Sequence, residues 1–442
     1  MKNFLKLTAF CLFLIPTLTV QAQTVHKFSA KECADYAAKN NVQVKNALLD
    51  LQIQFQSNRM VAAAALPSIS AGVGFVDNIQ IGLQYIPPGQ FGPNEAYFQF
   101  GTKYLGTGSI DLSQVLFDGS LFVGLKARKS STDLRAKAVD VTEENIRANI
   151  YKIYYQLVVG AKQIELLDSN ISRFAKLKGD TRKLFDAGFA ENIDIDKVEV
   201  TLVNLQTEKS RAENMINSGL IGLKFLMGMP TLDSLVLSED ISEDGIKSGL
   251  GEVAYSYNNR NDYQLLEITQ RLNEFNIKRY KLASVPTLRL AANHTQTGQR
   301  LDFDFFESGK RWLPSTNYSI RLHIPIFDGF SRVAQVNQAQ LELQKTLNSV
   351  ENLKLNIDTE VSQAKYSYTT SIVAIDAQKK NMQLAEKVYD QTKKKFEAGT
   401  GSNIEINAAQ TELKSAQTNY ISALYDAIIA RVDYLKATGK LQ

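Results

Sequence analysis

The sequence predicts a mixed α and β membrane protein built from two structural repeats, each running helix, strand, strand, long helix, short helix. Three observations carry that reading. First, Ser113-Gln114-Val115-Leu116-Phe117-Asp118-Gly119-Ser120 returns as His323-Ile324-Pro325-Ile326-Phe327-Asp328-Gly329-Phe330, and Lys183-Leu184-Phe185-Asp186-Ala187-Gly188 returns as Lys394-Lys395-Phe396-Glu397-Ala398-Gly399. The first pair is offset by 210 residues (327 − 117) and the second by 211 (396 − 185), so two distant landmarks share one spacing, as a duplication requires. Second, each interval between the landmarks is a proline-free run with apolar residues every three or four positions. Third, alternating segments of membrane-crossing length precede each run.

The long helices are read at 119–185 and 330–395. In the first, Ile146, Ile150, Ile153, Leu157, Ala161, Ile164, Leu167, Ile171, Phe174 and Leu177 form one stripe; in the second, Leu353, Ile357, Val361, Ala364, Tyr368, Ile372 and Ile375 lead to Met382, Tyr389 and Phe396. Such a run is about 100 Å long at ~1.5 Å per residue, which suits a bundle, coiled coil or tube rather than an ordinary globular core. Shorter helices are expected near 30–64, 192–226, 252–283 and 403–437. Each pair of short helices matches one long helix in length, so two of them stacked end to end would lie beside it.

Strands are expected at about 66–76 and 97–114 in the first repeat, and 285–294 and 316–326 in the second. Ile69, Ala71, Val73 and Phe75 alternate with small or polar residues, as do Tyr318, Ile320, Leu322, Ile324 and Ile326. The other face carries Ser, Thr, Asn, Asp and Arg, as a wet lumen would. Polar and aromatic loops near 77–97 and 295–316 join the strands of each pair. Four such strands cannot close, and an open edge in lipid costs several kcal/mol for each unpaired group. The chain must therefore supply part of a shared barrel; two copies give eight strands, and three give twelve with room for a passage.

Residues 1–22 read as an export signal: Lys2 and Lys6, an apolar stretch from Leu7 to Leu18, and the small-x-small site Val20-Gln21-Ala22. Repeat 1 is set at 23–230, an equatorial connection at 231–251 with the acidic run 238–244, and repeat 2 at 252–442. Of two cysteines, Cys11 falls in the signal and Cys33 remains, so an internal disulfide is excluded. N-terminal lipidation at Cys11 is not expected, since it lies inside the apolar run behind Phe10. A net charge of +4 predicts no nucleic-acid partner. The three histidines, His26, His294 and His323, have no spacing that suggests zinc, and no metal or cofactor is expected. Asp118 and Asp328 precede glycines at strand-to-helix corners, where aspartate makes local turn and cap bonds. No base, nucleophile or metal partner accompanies them, so an enzyme is not expected.

The paired Phe-Asp-Gly junctions, the paired Phe-[Asp/Glu]-Ala-Gly helix tips and the repeated element order resemble those of the TolC-type outer-membrane efflux and secretion channels, along essentially the whole mature chain. The resemblance implies a homotrimer that forms a 12-strand β-barrel in outer-membrane lipid, continued by a long periplasmic α-helical barrel. It implies a passive exit duct of a tripartite efflux pump or type I secretion system, carrying drugs, metals or proteins to the exterior. The partners it implies are a periplasmic adaptor protein and an inner-membrane pump or ABC exporter. The alternatives are a structural coiled-coil envelope protein, which needs no membrane-length strands, and a solute-uptake porin, which has little use for such helices.

At the tips, Gly188 and Gly399 are expected to stop the long helices in the left-handed conformation. Asn192 and Asn403 are read as N-caps of the returning helices, with Asp194 and Glu405 two residues inside. By resemblance, Ala187, Gly188, Phe189, Ala398, Gly399 and Thr400 meet the adaptor, and the family closes its tunnel around the second tip. This chain departs from the family's gate: its tyrosine position reads Phe396, its arginine position Gly401, and its two aspartate positions Glu405 and Ala408. Any gate must rest on packing at Phe396 or on the carboxylates of Asp194 and Glu405.

Overall fold

The computed structural model describes residues 25–90, 92–239, 243–247 and 255–441. The export signal at 1–22 and much of the equatorial connection, at 240–242 and 248–254, lie outside the described residues. The chain divides into two compact units. One takes its described residues from 25–45, 141–259 and 357–441, the other from 46–140 and 260–356. No described helix is long and apolar enough to cross a membrane.

The elements, in order, are β1 (Val25–Phe28), α1 (Ala30–Asn40), α2 (Val42–Ala63), β2 (Ser68–Asp77), β3 (Leu83–Ile86), β4 (Ala96–Gln99), β5 (Tyr104–Phe117), α3 (Gly119–Asp186) and α4 (Asn192–Met227). Then come β6 (Ser234–Leu237), α5 (Glu243–Lys247), α6 (Asn261–Leu282), β7 (Thr287–Arg300), β8 (Leu313–His323), α7 (Ser331–Glu397) and α8 (Asn403–Ala437). The expected long helices are α3 and α7, at 68 and 67 residues. Asp118 caps α3: its carboxylate accepts from the Ser120 and Leu121 backbone N–H at 2.9 and 3.2 Å. Asp328 takes Arg332 instead, accepting from its backbone N–H at 3.1 Å and its Nε at 2.5 Å.

The helical unit owns most of the buried apolar residues. The stripe read from α3 is its core: Ile146, Ile150, Leu157, Leu167, Phe174 and Leu177 are all buried, as are Ile357, Val361, Tyr368 and Ile375 of α7. Ile146, Ile150 and Leu157 pack with Leu223 and Met227 of α4 in one cluster, Leu167, Phe174 and Leu177 with Leu205, Ile406 and Leu413 in a second, Ile375 with Leu424 and Ile428 in a third, and Tyr368 with Ala430 and Tyr434 in a fourth. β1 and β6 pair in parallel beside the first cluster. The short α5 is clamped to α7 and α8. Glu243 accepts from Tyr420 and from Lys379 at 2.9 Å, and the hydrogen bond from Tyr420 holds its carboxyl below the usual glutamate range.

The helix expected across 30–64 is broken. Asn41 is extended (φ −60°, ψ 135°), and its side chain caps α2 by accepting from Gln43 N–H at 2.7 Å while donating to the Leu226 carbonyl at 2.6 Å. The helix expected at 252–283 begins only at Asn261, after a turn of 3₁₀ helix at Tyr257–Asn259.

The second unit holds a four-stranded antiparallel sheet in the order β2-β5-β7-β8. The register puts Ile69, Ala71 and Val73, Leu112 and Ile110, Leu288, Leu290 and Ala292, and Leu322, Ile320 and Tyr318 on one face. The opposite face carries Ser68, Ser70, Ser113, Asp111, Asn293, Thr295, Asn317 and Ser319. Among the described residues, β2 and β8 each pair on one side only.

The strand boundaries differ from expectation in three places. The strand read at 97–114 is two: β4 pairs with β3 in a small hairpin, Tyr85 opposite Tyr97, and β5 starts after Gly101 (φ 128°) breaks the run. β7 runs on to Arg300 through polar residues, because β5 pairs with it up to Tyr104. β8 ends at His323, two residues before Pro325, which has no N–H to give a ladder. At the loop end of the apolar face, Gly106 and Gly298 stand opposite one another, and the loop 301–312 lays Phe305 and Trp312 into the notch they leave. Phe75 and Phe303 pack against Phe305 at centroid distances of 5.2 and 5.4 Å.

Two cross-helix hydrogen bonds match one another in this unit. Asn58 of α2 donates to Thr132 Oγ1 of α3 at 2.8 Å, and Asn273 of α6 donates to Thr346 Oγ1 of α7 at 2.8 Å. Each threonine in turn donates to the carbonyl four residues back, at 3.2 and 3.0 Å. The asparagines are 215 residues apart (273 − 58) and the threonines 214 (346 − 132).

Candidate functional site: the two helix tips

Each long helix ends in a glycine with left-handed backbone, Gly188 at φ 82° and Gly399 at φ 75°. An L side chain there is strained by about 1–2 kcal/mol, which is why glycine ends a helix this way. The closing hydrogen bonds are the same at both tips. Gly188 N–H donates to Phe185 O at 2.9 Å and Phe189 N–H to Leu184 O at 2.8 Å; Gly399 N–H donates to Phe396 O and Thr400 N–H to Lys395 O, both at 3.0 Å. This pattern satisfies the last carbonyls of each helix without outside help.

The loops turn back into α4 and α8. The N-caps are Glu191 and Ser402, one residue earlier than the expected Asn192 and Asn403, which are the first helical residues. At the second tip, Ser402 Oγ accepts from Glu405 N–H at 3.2 Å, so the serine hydroxyl outcompetes the neighbouring amide. At the first tip, the Asp194 carboxylate reaches back to accept from Glu191 N–H at 3.3 Å and lies 3.8 Å from Lys197. Asp194 is therefore engaged in capping, while Glu405 is exposed. The tips meet: Asn403 Nδ2 donates to the Asp194 carbonyl at 3.4 Å.

Ala187, Gly188, Phe189, Ala398, Gly399 and Thr400 are all exposed. Phe189 is the most apolar of them, at 83% exposure. Phe396 is 6% exposed and packs in the helical core that also holds Phe174, Leu177 and Ile406. Gly401 is tightly placed: a Cβ there would lie 2.9 Å from Phe396 N, so this loop has no room for the arginine read at that position in the family. The tip core also holds polar groups that periodicity did not mark, with Asn170 donating to Gln417 at 3.0 Å and the Arg173 guanidinium 5.4 Å from the Tyr389 ring centre.

Comparison with known proteins gives the fold a context. Residues 257–440 match the family described as Outer membrane efflux protein. Outer membrane protein TolC of Vibrio cholerae is 19% identical over 432 residues, covering 97% of this chain and 95% of its own length. The probable efflux pump outer membrane protein TtgC of Pseudomonas putida is 20% identical, over 94% of this chain and 84% of its own. Among solved structures, CusC superposes with a TM-score of 0.77 at 16% identity, covering 93% of this chain and 92% of its own. VceC of Vibrio cholerae superposes at 0.72 and 13% identity, over 93% and 96%. The fold is thus matched almost end to end by solved outer-membrane channel structures, and the Outer membrane efflux protein family is matched across residues 257–440.

Proposed function

We propose that this protein is the passive outer-membrane exit duct of a tripartite efflux or type I secretion machine. The observation that carries the reading is the sheet of the second unit, mostly apolar on one face (His294, Thr316 and Gln114 being the exceptions in its central rows), polar on the other and, among the described residues, unpaired at both edges. A sheet of that kind is stable in lipid only when its edges meet further strands. Three copies, β8 of each beside β2 of the next, close a 12-strand barrel with the polar face inward. The exposed apolar residues on α2 and the sheet, among them Ile53, Phe55, Val73 and Ile320, then find cover in neighbouring copies or in lipid.

In this reading the helical unit lies in the periplasm and its tips face the pump. Ala187 to Phe189 and Ala398 to Thr400 meet hairpins of a periplasmic adaptor, which couples the duct to an inner-membrane pump or ABC exporter. The resting gate rests on packing at Phe396 and on Glu405, with Asp194 held to its capping role. Cargo passes without chemistry by this chain. A coiled-coil envelope protein has no need of a two-faced sheet, and a porin has no need of the two tips.

The test is the mass of the detergent-extracted complex together with its conductance in planar bilayers. A trimer that conducts ions is expected. A monomer that conducts would remove the argument from the open edges.

A further inference from the structure

The polar face of the sheet has one feature that strand stability alone does not explain. Arg289 of β7 and Arg321 of β8 are directly opposed in the ladder, so both side chains leave the same face from neighbouring backbones. Opposed residues in antiparallel strands have Cα atoms about 4.5–5.5 Å apart, and like charges in that position are destabilising. Among the described residues neither guanidinium makes a hydrogen bond or a close ion pair, although the charge of Arg289 acts on the Asp118 carboxylate, and both arginines are exposed. Val115 completes the row on the third strand and brings no charge.

The carboxylates closest in sequence register are already engaged. Asp111 accepts from Asn293 at 2.7 Å and from Ser109 at 3.0 Å. Asp118 caps α3 through Ser120 and Leu121 and is near enough to Arg289 to feel its charge, and Asp328 is held by Arg332 at 2.5 Å. Two exposed guanidinium forks with no hydrogen-bond partner match the oxygens of one tetrahedral or planar oxyanion, each fork offering two parallel N–H donors.

We infer that Arg289 and Arg321 form an anion-binding subsite on the polar face of the sheet, which takes a soluble phosphate, sulfate or carboxylate group. The inference rests on the duct reading in one respect: a closed wall of three copies carries three such pairs around its lumen and favours anionic groups in passage. A purely structural pair predicts the opposite of a site, since replacing both arginines relieves repulsion and leaves binding unaffected.

The experiment uses the full-length protein in planar bilayers, with chloride permeability taken from reversal potentials in a KCl gradient and inorganic phosphate added as the probe. Wild-type current should fall as phosphate rises. In R289Q/R321Q the phosphate needed should increase by about tenfold or more, and permeability should shift toward potassium. R289K/R321K keeps the charge and loses the forks, so it should retain chloride permeability while losing most of the phosphate effect. R289Q/R321Q should unfold at the same or a higher temperature than wild type, which separates a binding loss from a folding defect. Channels whose phosphate response and permeability ratio are unchanged in R289Q/R321Q would overturn the subsite alone. No conductance from wild type would overturn the duct reading and the subsite with it.

Discussion

The two ends of the returning helices close with the same residue in the same conformation, yet under opposite constraints. At the tips, Gly188 and Gly399 have no atom within 4 Å of where a Cβ would stand. At the other ends of α4 and α8, Gly228 and Gly439 are both left-handed at φ 69°, and a Cβ there would lie 2.4 Å from Asn40 O and 2.5 Å from Asn259 O. The tip glycines answer only to their own backbone. The inner glycines answer to a second segment of chain pressed onto them, the Asn41 break in one repeat and the 3₁₀ turn before α6 in the other. Gly228 and Gly439 are 211 residues apart (439 − 228), so this closure belongs to the duplication as the tips do. The difference separates glycines that face open space from glycines in a joint that holds the helical unit together.

The largest effect should fall on the joint. Gly228→Ala or Gly439→Ala forces a backbone carbonyl aside as well as straining φ, and should cost on the order of 3 kcal/mol, read as a lower unfolding temperature and lower yield. Should either variant prove as stable as a tip variant, the joint is softer than its distances imply and the comparison fails. Gly188→Ala and Gly399→Ala meet strain only, so each should cost about 1 kcal/mol while the yield of folded protein stays at the wild-type level. Loss of transport out of proportion to that cost would mark the tips as contact surface.

A smaller effect tests whether the two halves are energetically alike. Asn58→Leu removes two cross-helix hydrogen bonds, to Thr132 Oγ1 and to the Arg128 carbonyl at 3.0 Å, and Asn273→Leu removes the one to Thr346 Oγ1; each threonine stays bonded to its own helix, so the costs should be about 1–2 and about 0.5–1 kcal/mol. Equal costs, measured by denaturant unfolding, would show that the additional bond to the Arg128 carbonyl contributes nothing. The smallest effect is expected at Phe189, where Phe189→Ser changes an 83% exposed side chain and should alter stability by less than about 0.5 kcal/mol. Its transport phenotype then reports contact alone; full transport would remove Phe189 from the adaptor surface.

The long helices were legible because their apolar stripe runs unbroken by proline, and the tips because glycine has a single physical role after such a stripe. The break at Asn41 was not, since the pattern of 30–64 continues through it and only the bond to Leu226 O, from a helix far along the chain, explains why it opens there. The caps were misplaced by one residue because Ser402 and Asn403 are both competent caps in sequence, and only the loop geometry chooses between them. The matched Asn–Thr pairs carry no signal in residues so common. The opposition of Arg289 and Arg321 depends on the register of β8 against β7, which the twelve-residue loop between Arg300 and Leu313 conceals.

The pairing of β5 with β7 has a consequence in time. It joins Ile110 to His294, 184 residues apart (294 − 110), whereas the helices need only neighbours a few residues away. At the usual 5–20 residues per second, β2 and β5 are complete roughly 10–40 s before His323 has been made. Through that interval the hairpin has an apolar face, two bare edges and no partner. Until β7 has been made, the inner edge of β5 stays bare, and the outer edges of the sheet stay bare after that.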